Sequence, residues 1–192
     1  TLNNLSITPR SAGTDMSGGP INEGVILDMT KYFNKISEIG ENFAIIQPGV
    51  FYRDFEVETL KKDLFIPSYP ASREICALGG MVSNNAGGEK TLRYGKTDVY
   101  VDTVYAILSD GNEYEFSSIG EKELKKKMLL RSFEGKVYKG IFRLVEKNYD
   151  ILQKAKPNVT KNSSGYALWN AYDKKTKTFN IAKIMVGSQG TL

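Results

Sequence analysis

The chain has 192 residues, 41% of them hydrophobic and 25% charged, which fits a globular fold of one ordinary domain or two small lobes. It carries a net charge of +4, no histidine and one cysteine, Cys76. Those counts exclude a Ser-His-Asp triad, a Cys-His pair, a His-ligated zinc site, an intrachain disulfide and a thiolate-held iron–sulfur cluster, so redox chemistry here needs an organic cofactor.

Leu5-Ser6-Ile7-Thr8 reads as a short strand ended by Pro9, and a loop of small residues follows to Gly19. Val25-Ile26-Leu27-Asp28-Met29 is a second strand candidate, and Ala44-Ile45-Ile46-Gln47 a third, stopped by Pro48-Gly49. Residues 51–64 space Phe51, Phe55 and Leu60 among charges without a breaker, which predicts a helix. Residues 67–95 read as irregular, with glycines at 79, 80, 87, 88 and 95. Strands are expected over 101–108 and 113–116, joined as a hairpin by Asp110-Gly111.

Two helices are expected next. Tyr138, Ile141, Phe142, Val145, Tyr149 and Leu152 fall on one helical stripe, which Pro157 ends. Residues 121–156 hold eleven Lys/Arg against five Asp/Glu. Such a strip could meet nucleic acid, an anionic lipid surface or an acidic partner, and a solvated helix face is the plainer reading. A last strand is expected over Ile184-Met185-Val186. The mixed order without βαβ alternation favours an α+β fold. No G-x-G-x-x-G or Walker A pattern is present, so a Rossmann route to nicotinamide is not expected. No apolar run approaches the ~20 residues of a membrane span. The lone cysteine favours a reducing compartment, hence a cytoplasmic protein.

Three segments carry chemistry. The first is Pro9-Arg10-Ser11-Ala12-Gly13-Thr14-Asp15-Met16-Ser17-Gly18-Gly19, a loop whose N–H groups and hydroxyls could converge on an anion such as a pyrophosphate. An ordinary surface loop would have a similar composition. The second is Gly79-Gly80-Met81-Val82-Ser83-Asn84-Asn85-Ala86-Gly87-Gly88 with Arg93-Tyr94-Gly95 behind it. It offers close backbone approach and polar edges for a flat ring, or merely tight helix packing. The third, Gly187-Ser188-Gln189-Gly190-Thr191-Leu192, is weak by itself.

Taken in order, these segments resemble the PCMH-type FAD-binding domain of the vanillyl-alcohol oxidase/p-cresol methylhydroxylase superfamily. The branch they resemble is the D-lactate dehydrogenase and glycolate oxidase group of FAD-linked oxidases. Pro9, Gly13, Thr14, Gly18 and Gly19 fill its first loop. Pro70, Ser72, Gly79-Gly80, Asn85-Ala86-Gly87-Gly88 and Tyr94-Gly95 fill its second pattern. Ser164-Gly165-Tyr166-Ala167-Leu168 and residues 187–192 fill the closing one, with Gln189 where the family usually has Glu.

The resemblance implies a domain of two small α/β lobes, with residues 1–40 the remainder of the first and 41–192 the second. The start of the N-terminal lobe and the C-terminal substrate cap would lie outside this sequence, and the catalytic group with the cap. Ser11, Ala12, Gly13, Thr14 and Asp15 would hold the FAD pyrophosphate. Pro70, Gly79, Gly80, Ser83 and Asn84 would line the flavin side, together with Asn85, Ala86, Gly87, Tyr94 and Gly95. With no histidine the commonest covalent flavin linkage is impossible, so FAD is expected to be non-covalent. Cys76, near the expected flavin, reads better as a small packing residue.

The implied activity is oxidation of a small D-2-hydroxy acid, such as D-lactate or glycolate, with hydride transfer to FAD and an electron acceptor left open. The basic helical stretch resembles larger members that carry a fused iron–sulfur module. Another oxidase or reductase of the superfamily is one rival. A nucleic-acid or membrane-surface module is a second, although a peripheral membrane contact is compatible with a dehydrogenase. Nucleic acid is not expected as a partner. Asn158-Val159-Thr160 and Asn162-Ser163-Ser164 match the glycosylation sequon by chance.

Overall fold

A computed structural model describes residues 5–159, 162 and 165–191. Thr160, Ser163, Ser164 and Leu192 of the motifs above therefore lie outside the described residues. The chain divides into one unit of residues Thr1–Tyr100 and Gly187–Leu192 and another of Val101–Val186. Strands and helices mix as an α+β fold requires.

In the first unit, β1 (Ile7–Arg10) pairs in parallel with β2 (Val25–Asp28), Ile7 opposite Val25 and Arg10 opposite Asp28. Parallel neighbours need a crossover of about a dozen residues or more, and the small-residue loop supplies it. Pro9 lies inside β1 rather than ending it, opposite Leu27. A two-stranded sheet has an open edge on each strand, where a missing N–H costs little. The predicted second strand stops at Asp28, whose carboxylate accepts from the N–H of Thr30 and starts α1 (Met29–Tyr32). A short antiparallel pair follows, β3 (Ile36–Ile39) with β4 (Ala44–Ile46). The sequence reading missed β3.

The helix expected over 51–64 is α2 (Tyr52–Leu60). The segment read as irregular contains α3 (Leu78–Ser83), α4 (Thr91–Tyr94) and α5 (Thr97–Tyr100). Glycine-rich turns this short leave no apolar period to detect. Val50, Tyr52, Phe55, Tyr69, Leu78 and Met81 form the core, against which Ile36, Ala44, Ile46 and Ile66 pack.

In the second unit, β5 (Val104–Ile107) and β6 (Glu113–Phe116) form the predicted hairpin, and Gly111 in its turn has φ 81°. β7 (Ser118–Gly120) leads into α6 (Glu121–Leu129) and α7 (Phe133–Lys147), the latter capped by Ser132, which accepts from the Gly135 N–H. Asn148 interrupts the helix before α8 (Tyr149–Ala155). The apolar stripe nevertheless stays on one side across the break. Tyr138 and Val145 are buried, Ile141, Phe142 and Leu152 pack on the same core, and the Tyr149 ring meets Tyr172 at 6.1 Å.

β8 (Tyr172–Asp173) and β9 (Thr178–Asn180) complete a sheet of order β7-β9-β8. The strand expected over Ile184-Met185-Val186 is instead a helical turn, α9 (Ala182–Met185). The Asn180 side chain accepts from the Ala182 N–H at 2.9 Å and so starts a turn where a strand would need extended backbone. A three-residue apolar run cannot tell the two apart.

Candidate functional site

The first loop leaves β1 at Arg10. Gly13 has φ 70°, a left-handed conformation that costs an L side chain roughly 1–2 kcal/mol. The N–H groups of Ala12, Gly13 and Thr14 donate to no acceptor among the described residues. A row of free donors around one left-handed residue suits an oxyanion. Asp15 is turned back into the loop, where it accepts from Ser17 Oγ at 2.8 Å and from the Gly19 N–H at 3.1 Å. Burial pushes its pKa up, but the hydrogen bonds from Ser17, Gly19 and Met16 outweigh that and hold the carboxyl below its ordinary value.

The three small-residue segments, far apart in sequence, meet in the first unit. The Pro48 carbonyl accepts both Ser11 Oγ at 2.8 Å and the Gly79 N–H at 2.9 Å. A Cβ on Gly79 would come within 2.7 Å of that same oxygen, so the approach admits only glycine. Gly80 faces Ser11, where a Cβ would lie 3.6 Å from Ser11 Cβ. From the closing segment, Gly187 N–H donates to Val82 at 3.0 Å and Gln189 N–H to Ser83 at 2.8 Å. Gly19 faces the Gln189 carbonyl, 3.2 Å from where its Cβ would be. Gln189, with φ 52°, ties in through its backbone, so this tie does not depend on Gln or Glu at the position.

The rest of the second segment is largely committed to internal packing. Asn84 is exposed. Buried Asn85 accepts from the Asp98 N–H at 3.0 Å, and the Ala86 carbonyl accepts from Thr97 N–H at 3.0 Å and Oγ1 at 2.9 Å. Thr91 Oγ1 accepts from Gly88 N–H at 2.7 Å. Gly87 faces Thr91, and Gly88 presses on the Tyr69 carbonyl beside Pro70. Tyr94 is exposed and its carbonyl takes the Tyr100 hydroxyl at 2.7 Å, while Gly95 closes α4 with φ 82°. Ser11, Gly79, Gly80 and Ser83 are thus brought to the first loop. Tyr94 and Gly95 pack locally with Val99 and Tyr100.

Two features escaped the sequence reading. The first is the Pro48 carbonyl, since the sequence marks Pro48 only as a strand stop. A polar chain also braces the turn that carries Pro70. The Tyr52 hydroxyl donates to the Ile66 carbonyl at 2.8 Å and touches Glu56, which pairs with Arg73. The Arg73 guanidinium lies 4.7 Å over Tyr69, whose hydroxyl donates to Glu89 at 2.8 Å. Glu56 and Arg73 are both charged residues in unremarkable spacing, so nothing in the one-dimensional pattern links them. Among the described residues no group of three Cys, Asp or Glu side chains is placed to hold a metal.

Cys76 is 2% exposed. Burial raises its thiol from 9.0 to about 11, against a lowering contribution from Ser72. In the native protein its thiolate fraction should be about a hundredfold below that of a free thiol near pH 8. We expect iodoacetamide to label it slowly by mass spectrometry until urea unfolds the chain. Because the folded thiol keeps its proton after the unfolded one has lost it, Cys76 stabilises the fold below pH 9 and loses that contribution as pH rises toward 11. Cys76→Ala should flatten this alkaline slope in urea melts. An unchanged slope would contradict the assignment.

A family profile described as an FAD binding domain matches residues 1–117, more than half of the chain. The chain belongs to the FAD binding domain family. Within the FAD-binding domain so identified, the match takes in the first two loops. The D-2-hydroxyglutarate dehydrogenase of Escherichia coli is 28% identical over 98% of this chain and 19% of its own length. Glycolate oxidase subunit GlcD of Bacillus subtilis is 38% identical over 56% of this chain and 24% of its own. The 6-hydroxy-D-nicotine oxidase of Arthrobacter nicotinovorans superposes with a TM-score of 0.53 and 25% identity over 60% of this chain and 25% of that one. The FAD-binding domain thus spans about a fifth of the first of these relatives and about a quarter of the other two. The PCMH-type resemblance and FAD as the cofactor are both supported.

Proposed function

We propose that this chain is the cofactor-holding part of an FAD-dependent dehydrogenase that oxidises a small D-2-hydroxy acid. D-lactate, glycolate and D-2-hydroxyglutarate share the feature that matters, a hydroxyl carbon beside a carboxylate. The observation that carries the reading is the convergence of residues 11–15, 79–83 and 187–190 on one surface with free N–H donors at Ala12, Gly13 and Thr14. Those donors and the glycine cradle fit a pyrophosphate. FAD, when bound, supplies the two-electron acceptor for the substrate's hydroxyl carbon. The chain's own part is to hold the pyrophosphate at residues 11–15 and to present Gly79, Gly80 and Ser83 toward the rest of the cofactor. Pro70, Asn84, Asn85, Ala86, Gly87, Tyr94 and Gly95 support that surface, Asn85 and Gly87 by packing.

The relatives named as D-2-hydroxyglutarate dehydrogenase and glycolate oxidase support this substrate class over sugars or aromatic alcohols. Non-covalent FAD fits the lack of histidine and the inaccessible Cys76. We place a lobe boundary near residue 40, downstream of a β2 that carries Val25, Ile26 and Leu27 at 40–44% exposure. A reducing, cytoplasmic setting rests on cysteine usage. In the second unit, Lys136, Lys139, Arg143 and Lys147 form one exposed face of α7 with no ion pair among the described residues. That face favours an anionic membrane surface as a peripheral contact, which vesicle co-sedimentation at varied salt would detect.

FAD titration of the purified chain, followed by flavin fluorescence, tests the cofactor reading. Saturable binding is expected. Gly13→Val should weaken it by about five- to thirtyfold, the equivalent of the left-handed backbone cost. The full-length protein, assayed with the three hydroxy acids and an artificial electron acceptor, tests the substrate class. A full-length protein that binds no flavin would overturn the proposal. One that binds FAD but reduces it only with sugars or aromatic alcohols would overturn the substrate class alone.

A further inference from the structure

We propose that Arg10 is the cation that pairs with the FAD pyrophosphate at the first loop, an inference that rests on the cofactor reading above. The geometry points there in three ways. First, the guanidinium lies flat against Gly13: an ideal Cβ on Gly13 would stand 2.5 Å from one terminal nitrogen and 2.6 Å from Cζ and Nε. It therefore covers the residue whose N–H and neighbouring N–H groups are free.

Second, no carboxylate pairs with it within 4 Å among the described residues. Asp28 sits opposite Arg10 in the β1–β2 ladder and feels its charge, but its Oδ1 accepts from the Thr30 N–H at 2.9 Å and the Thr30 hydroxyl at 2.6 Å rather than from the guanidinium. Arg10 makes no ion pair or hydrogen bond among the described residues. An arginine held at the end of a strand with its donors unspent suits an oxyanion, which the planar fork can take with two parallel hydrogen bonds.

Third, the local charge balance calls for it. The loop carries the Asp15 carboxylate, and its hydrogen bonds hold that group in the charged form. Free N–H groups bring partial positive charge only. A pyrophosphate diester is a dianion, and Arg10 is the one cation between Leu5 and Gly24. Without it, the dianion would meet Asp15 with no full charge of opposite sign in the same loop.

Arg10→Gln and Arg10→Lys variants of the full-length protein test this. Three quantities are compared with wild type: FAD affinity by fluorescence quenching, the dependence of that affinity on salt, and the melting temperature without FAD. We expect Arg10→Gln to bind FAD about ten- to a hundredfold more weakly, the range for a lost charged hydrogen bond. Its affinity should also depend less steeply on salt. Arg10→Lys should recover part of both, and melting without FAD should be unchanged. Wild-type affinity and salt dependence in Arg10→Gln would overturn the assignment and leave the cofactor reading standing. Weaker binding with an unchanged salt dependence, or with a lowered melting temperature, would make Arg10 a packing residue and also overturn it. A wild-type protein that binds no FAD would instead remove the cofactor reading itself.

Discussion

Gly88→Ala is expected to lower the melting temperature of the first unit by about 5–20 °C. The added Cβ would overlap the Tyr69 carbonyl, which is backbone and cannot rotate aside. Tyr69 is itself fixed. Its ring packs on Tyr52 at 5.6 Å, its hydroxyl is bonded to Glu89, and Arg73 lies over its outer face. Overpacking of a fixed site costs about 1–3 kcal/mol or more, and each kcal/mol moves the melting point of a 60–100-residue unit by about 4–8 °C. Gly140→Ala is the matched control. Gly140 lies in the exposed part of α7 with nothing within 4 Å of its Cβ position. There the same change should stabilise by about 0.5–1 kcal/mol through helix propensity. Thermal melts by circular dichroism read both. Equal behaviour of the two variants would mean that the close approach at Gly88 relaxes freely.

This contrast explains what the sequence could and could not show. Periodic and turn signals act within a few residues, and those expectations survive: the Asp110-Gly111 hairpin, α2, and the apolar stripe on α7 and α8. The small-residue loops were legible as a set because their composition is unusual, and the family match covers two of them. Their meeting point was not. It depends on the Pro48 carbonyl accepting from Ser11, 37 residues away, and from Gly79, which no local pattern encodes. The asparagine and glycines of residues 85–88 illustrate an ambiguity that sequence leaves open. They read as polar edges for a ring or as tight packing, and the Gly88 N–H, the Ala86 carbonyl and Asn85 Oδ1 bond to Thr91, Thr97 and Asp98. A glycine that admits a ligand and a glycine that admits a neighbouring carbonyl look the same in one dimension. Only the tertiary contacts separate Gly13, which borders free donors, from Gly88, which borders Tyr69.

The second unit depends on its aromatic core in the way the first depends on glycine. Phe179, in β9, is fully buried. Its ring meets Phe142 edge-on at 5.5 Å, Tyr138 at 6.3 Å and Tyr172 at 6.4 Å, so it joins α7 to the small sheet. Truncation removes ring contacts on several sides. The surrounding rings are anchored in a helix and in strands, so they cannot collapse into the gap. Phe179→Ala should therefore cost about 3–5 kcal/mol, the upper range for a cavity of this kind. Phe179→Leu, which keeps most of the volume, should cost less than about 1.5 kcal/mol. Ile151, 69% exposed on α8, provides the comparison, and Ile151→Ala should stay within about 0.5 kcal/mol. Urea melts give the three values, and hydrogen exchange shows where protection is lost. Phe179→Ala should expose the amides of β7, β9 and α7 first, because those elements share the vacated space. A cost for Phe179→Ala no larger than that for Ile151→Ala would mean that the core is loosely packed and that α7 does not depend on this ring for its place.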